Sequence, residues 1–137
     1  MTEPDSELTE AARGSMPFAD TLGLEILGAS PDEVHARLPW EQRLCTAGGI
    51  LHGGALMSLA DAAGAYCAFL NLPEGSTGTA TIESKTNFFR AVRDGHVDAI
   101  SRPLHVGRAT IVVETDLHDP AGKHVARVTQ TQAVLQG

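Results

Sequence analysis

Aromatic residues are scarce in this 137-residue sequence, 4% of the chain, with one Trp, one Tyr and four Phe. A core must therefore be assembled from Ala, Val, Leu and Ile, which the 42% apolar fraction supplies. Cysteine is rarer still: Cys45 and Cys67 are the only two. The N-terminus has no basic stretch of the secretory type and carries Glu3, Asp5, Glu7 and Glu10 instead. A reducing cytoplasm is thus expected and a disulfide is not, and Cys67, in an apolar stretch, reads as a small core residue. Cations are outnumbered, ten Lys and Arg against seventeen Asp and Glu, for a net charge of −7. That argues against a nucleic-acid partner, whose binding rests on dense cation–phosphate contacts. The longest apolar run is read as too short and too interrupted to span a bilayer, so no membrane partner is expected. The histidines His35, His96, His105, His118 and His124 show no metal-ligand spacing. No Gly-x-Ser-x-Gly elbow occurs, so a serine hydrolase is not expected, and with no P-loop or dinucleotide fingerprint neither a metal nor a nucleotide cofactor is expected.

What the sequence does contain fits one domain over residues 15–137, preceded by an acidic segment over 1–14 that reads as a flexible tail or a loose helix. Residues 22–29 and 33–39 read as short strands, with turn chemistry at Gly28, Ser30, Pro31 and Asp32. A glycine-rich loop (45–53) leads into a helix from about Gly54 to Leu70, closed by Asn71, Pro73, Glu74 and Gly75. That helix is apolar on nearly every face and is expected to be wrapped on all sides. Four strands follow, about 78–91, 95–105, 108–118 and 123–135, with alternation visible at Ala109, Ile111, Val113 and Thr115. Arg93-Asp94-Gly95, Val106-Gly107 and Asp119-Pro120-Ala121-Gly122 read as hairpin turns, so the strands are expected to be antiparallel. The fold class is α+β, a curled antiparallel sheet around one long central helix.

Asp61 is the most informative residue, a lone charge in that helix. Burying an unpaired carboxylate is costly, so it must be held by hydrogen bonds or open onto a cleft. It is the candidate base or nucleophile; the alternative is an Asp pointing at solvent through a gap. His52-Gly53-Gly54 stands at the helix start, where free N–H groups and the helix dipole suit a developing negative charge. A tight turn that needs glycine, with His52 entering the helix, explains the same residues. Gly53 and Asp61 are eight residues apart, roughly 12 Å along a helix. One carbonyl cannot touch both within one chain, but two antiparallel helices related by a two-fold axis could bring one chain's Gly53 to the other's Asp61. A dimer with two shared sites is therefore expected. Lys85, Arg90, Arg93, Arg102 and Arg108 also cluster within 24 residues, a local positive patch or a solvated sheet face.

The stretch from Ala47 to Ala63, with His52-Gly53-Gly54 followed by Ser58-Leu59-Ala60-Asp61, resembles the hotdog-fold thioesterases of the phenylacetate-pathway (PaaI) type. The strand order and the Asn87-Phe88-Phe89-Arg90 segment agree, and the likeness covers roughly residues 16–135. The resemblance implies an acyl-CoA or aryl-CoA thioester hydrolase, cytoplasmic, without cofactor, working as a homodimer or a dimer of dimers. It implies that the Gly53 amide polarises the thioester carbonyl and that Asp61 of the partner activates water or attacks directly. His52 would hold the loop or contact the thioester, and Thr81, or else Thr79, would assist the carboxylate. Thr46, Gly54, Thr79, Lys85, Asn87, Phe89, Arg90 and Arg108 are the implied substrate-binding positions, the cations meeting CoA phosphates. Thr46 departs from the Asn that many members carry there, and Ala91 from a common Pro. Two other functions remain open: a non-catalytic acyl-CoA sensor, and a hotdog-fold hydratase or dehydratase of acyl thioesters.

Overall fold

A computed structural model describes residues 3–137; Met1 and Thr2, which open the expected tail, lie outside the described residues. The elements in chain order are α1 (Ser6–Ser15), α2 (Pro17–Leu22), β1 (Glu25–Ala29), β2 (Val34–Pro39), a 3-10 turn (Gln42–Leu44), α3 (Gly53–Leu70), β3 (Ser76–Phe88), β4 (His96–Val106), β5 (Thr110–His118) and β6 (His124–Gln136). The six strands form one antiparallel sheet in the order β1-β2-β4-β5-β6-β3. The helix α3 packs against β2, β3, β4, β5 and β6, which gives the expected α+β hotdog arrangement.

The helix α3 forms because its body is Ala- and Leu-rich, free of β-branched residues and capped at both ends. His52 is the N-cap, and at the C-terminus the Asn71 amide bonds the carbonyls of Cys67 and Pro31. Leu56, Leu59, Ala60, Ala63, Cys67 and Ala68 meet the apolar rows of the sheet. Burial pushes the Cys67 thiol up to about 11, so it behaves as core hydrocarbon. Within a single chain the helix is not wrapped on all sides. Met57, Asp61 and Phe69, spaced by four or eight residues, remain exposed, because the sheet covers one side of α3 only.

Of the two forms expected for the N-terminal segment, residues 6–15 take the helix. Asp5 caps it by accepting from the Leu8 N–H at 3.0 Å. The Thr9 hydroxyl bonds both the N–H and the C=O of Ile26, and Arg13 Nε donates to the Leu24 carbonyl at 2.8 Å. These bonds fasten an acidic segment to the exposed edge of the sheet. The helix α2 then starts on Pro17 and ends on left-handed Gly23 (φ 77°), which delays the first strand to Glu25.

The segment Arg93-Asp94-Gly95 is not a hairpin turn. The strand β3 pairs with β6, so the link from β3 to β4 crosses the sheet end, and the Gly95 carbonyl instead accepts from the Trp40 N–H. Finally, α3 is by length and composition apolar enough to cross a membrane, 18 residues at a mean hydropathy of 1.3. Its place beneath the sheet accounts for that composition.

On the outer face of the sheet, Asp98 accepts from Arg37 Nε at 2.6 Å and lies 3.1 Å from His35 Nε2. Burial pushes this carboxyl up, but the His35 and Arg37 hydrogen bonds outweigh burial and hold it well below the ordinary carboxylate range. A lowered folded-state value contributes stability that is present above the unfolded value of about 3.9 and lost as pH falls. The Tm of the wild-type protein is therefore expected to drop below about pH 4, and Asp98→Asn to flatten that acid limb, as read by thermal denaturation across pH.

Candidate active site

The uncovered side of α3 forms the floor of a cleft of about 480 Å³, walled by Met16, Phe18, Met57, Ala62 and Ser84 around Asp61. Asp61 stands mid-helix, and one of its carboxylate oxygens is anchored. Its Oδ1 accepts from Thr81 Oγ1 at 2.9 Å and from Gln130 Nε2 at 3.0 Å. The Thr81 hydroxyl in turn accepts from Gln132 Nε2 at 2.7 Å. Both glutamines are buried, at 1% and 0% exposure. Oδ2 has no hydrogen-bond partner among the described residues. The carboxylate is thus pinned by one oxygen and open through the other.

A β-bulge decides which residues of β3 face this cleft. Thr81 pairs with Gln132, then the register shifts across Ile82, and Ser84 pairs with Gln130. An unbroken two-residue alternation would carry Glu83 onto the row of Thr81 and set a second carboxylate toward Asp61. The bulge puts the neutral Ser84 there instead, which leaves Asp61 without a like charge from this strand.

At the start of α3, His52 Nδ1 accepts from the Gly54 N–H at 2.8 Å. This bond uses His52 Nδ1 as the acceptor and uses up the Gly54 amide. The Gly53 N–H has no hydrogen-bond partner among the described residues. A Cβ at Gly53 would lie 3.2 Å from Phe88 Cζ, a close contact with the end of an exposed ring. It lines a different cleft from Asp61, with Phe88, Phe89 and Arg90 as neighbours. One chain therefore does not bring the Gly53 amide and the Asp61 carboxylate together.

The other sequence-predicted positions are dispersed. Thr81, not Thr79, bonds Asp61; Thr79 lines a neighbouring apolar cleft with Tyr66 and Phe69. Gly54 lines the Asp61 cleft through its backbone. Thr46 is exposed in the loop before α3, where its N–H donates to the Ile50 carbonyl. Lys85 and Asn87 pair with Thr129 and Arg127, on the face of the sheet opposite the Thr81 row. Phe89 packs its ring 5.0 Å from that of His124. Arg90 follows the end of β3, beside Val125, whereas Arg108 adjoins Ala109 at the Val134 end of β6. Nine residues of strand, roughly 30 Å, separate these two cations in one chain. Gln130, Gln132, Met16 and Phe18 were absent from the sequence expectations. The two glutamines had a signal, since both lie on the row of β6 that also carries Val128 and Val134.

An antiparallel sheet curled about one long helix, with a carboxylate opening onto an apolar cleft, is the arrangement of a hotdog thioester hydrolase. The chain belongs to the thioesterase superfamily, whose family pattern matches residues 48–126. A 1,4-dihydroxy-2-naphthoyl-CoA hydrolase of Escherichia coli is 31% identical over 104 residues, 76% of each protein. A thioesterase of Haemophilus influenzae superposes with a TM-score of 0.87 at 28% identity, over 99% of this chain and 93% of that one. The PaaI protein of the Escherichia coli phenylacetic acid degradation operon shares the fold, with a TM-score of 0.83 at 22% identity over 93% of this chain and 91% of that one.

Proposed function

We propose that the protein hydrolyses acyl-CoA or aryl-CoA thioesters to the free acid and CoA, in the cytoplasm, as a homodimer that can pair into a tetramer. The observation that carries this reading is the state of Asp61, anchored through Oδ1 and free at Oδ2 over an apolar cleft. A carboxylate so held can take a proton from water while the new C–O bond forms at the thioester carbonyl; the C–S bond then breaks and the thiolate leaves with that proton. The same oxygen can instead attack the carbonyl, breaking the C–S bond and expelling CoA thiolate to form an anhydride, which water then opens to the free acid and the regenerated carboxyl. The carbonyl oxygen, negative in the transition state, is met by the free Gly53 N–H at the positive end of α3. His52 serves by capping that helix start and aiming it.

The dimer rests on three features. Gly53 and Asp61 lie too far apart to act within one chain. The side of α3 carrying Met57, Asp61 and Phe69 is uncovered. The strand β3 is an open edge of 13 residues with Ile82 62% exposed, a surface a second copy can pair with.

The acyl group would lie against Phe18 and Met57, which favours aryl or medium-chain acyl groups over acetyl. A panel of acetyl-CoA, hexanoyl-CoA, phenylacetyl-CoA and hydroxybenzoyl-CoA, with an acyl-carrier-protein thioester beside them, is assayed for thiol release. Turnover is expected on the larger acyl-CoAs, and Phe18→Ala is expected to lower kcat/KM on them about 10-fold while changing acetyl-CoA little. Tight binding with no thiol released would leave a sensor rather than an enzyme of CoA thioesters.

A further inference from the structure

Gln130 is buried, reaches Asp61 from the opposite side of the cleft floor, and leaves its own carbonyl oxygen unsatisfied. Its Oε1 has no hydrogen-bond partner although the atom is shut off from solvent. Such an atom costs stability, so a Val or Leu at this inward-facing position would serve the fold better. The amide can sit only one way round, because its NH₂ end must face the Asp61 carboxylate and its oxygen must point away. The oxygen then lies against α3 at Gly64, three residues beyond Asp61. A Cβ at Gly64 would lie 1.5 Å from Oε1 and 2.6 Å from the amide carbon. Any residue but glycine there displaces the Gln130 amide. Glycine inside a helix is less favourable than alanine, so two unfavourable features, a helical glycine and an orphaned amide oxygen, coincide on one hydrogen bond.

We infer that Gln130 is a positioning residue for Asp61, and that Gly64 is glycine in order to admit it. This inference rests on the reading of Asp61 as the reacting carboxylate. The bond from Gln130, with that from Thr81, occupies Oδ1 and turns Oδ2 toward the cleft. Gln132 does the same one step removed, since its NH₂ engages a lone pair of the Thr81 hydroxyl and leaves the hydroxyl proton for Asp61. Gln132 Oε1 is likewise buried and without a partner. The row Gln130 and Gln132 is thus a polar support built under the carboxylate within a largely apolar sheet face.

The test compares kcat, KM and Tm of Gln130→Leu, Gly64→Ala, Gln130→Ala and the Gly64→Ala/Gln130→Ala double variant, with Asp61→Asn as reference. Gln130→Leu is expected to lower kcat about 10-fold or more on the best acyl-CoA, with KM changed less than about 2-fold and Tm held or raised. Gly64→Ala is expected to lower kcat similarly, and the double variant to be no slower than Gln130→Ala alone, since both changes remove the same bond. A lower Tm with unchanged kcat in Gln130→Leu would make the glutamine structural and overturn the inference, as would additive losses in the double variant. If Asp61→Asn itself left kcat unchanged, the reading of the carboxylate would fail first, and the two failures are told apart by that reference.

Discussion

Replacing Asp61 by Asn is expected to lower kcat by at least ~10²-fold while leaving the protein folded. Asparagine keeps the shape and retains an oxygen that can accept from Thr81 and Gln130, so the contacts around Oδ1 survive. What disappears is the second oxygen with its charge, the one facing the cleft. It can neither take a proton from water nor attack a carbonyl. Because the side chain is exposed in the single chain, the substitution removes no packed core atom, and Tm is expected to stay near the wild-type value. Thiol release at saturating substrate, alongside thermal denaturation, measures both. A folded Asp61→Asn protein with wild-type kcat would remove the carboxylate from the reaction.

Gly53→Pro is expected to lower kcat by about 10²–10³-fold, the scale of losing one donor to an oxyanion. Proline is suited to this position because it deletes only the N–H. Gly53 is the first residue of α3, where a proline is tolerated. His52 before it has φ −63° and ψ 137°, the extended geometry a following proline requires. The new side chain meets Phe88 at 3.2 Å, a contact that a small shift of the ring relieves. Gly53→Ala makes the same contact and keeps the N–H, so it serves as the control. Equal loss in both variants would assign the effect to crowding by the side chain rather than to the missing donor.

Asp61 was legible in the sequence because a lone charge inside an Ala- and Leu-rich helix stands out against its surroundings. The helix itself and the four later strands followed from composition and alternation, and the hotdog arrangement from the resemblance that the His52-to-Asp61 stretch carries. The sheet order was not legible from local links, since a short connection such as 89–95 suits a hairpin and a crossover alike. The docking of α1 escaped because it depends on Thr9 and Arg13 bonding the backbone of an edge strand, and backbone partners leave no pattern in side-chain chemistry. The bulge at Ile82 escaped for a related reason: a one-residue shift of register changes which of Glu83 and Ser84 faces Asp61 without altering composition. Gln130 and Gln132 could have been read, as two amides on the core-facing row of β6, but their target lies on another element. Only the packed structure joins them to Asp61.

The claim on which the rest depends is that each site takes its carboxylate from one chain and its free helix-start amide from another. Mixing Asp61→Asn chains with Gly53→Pro chains, after dissociation and reassembly in equal amounts, tests it directly. Random pairing makes half the dimers mixed, each with one intact site, so about a quarter of wild-type turnover is expected from two proteins that are each nearly inactive. A mixture no more active than its two components, with mixed dimers verified to have formed, would contradict it and place both groups in the same chain.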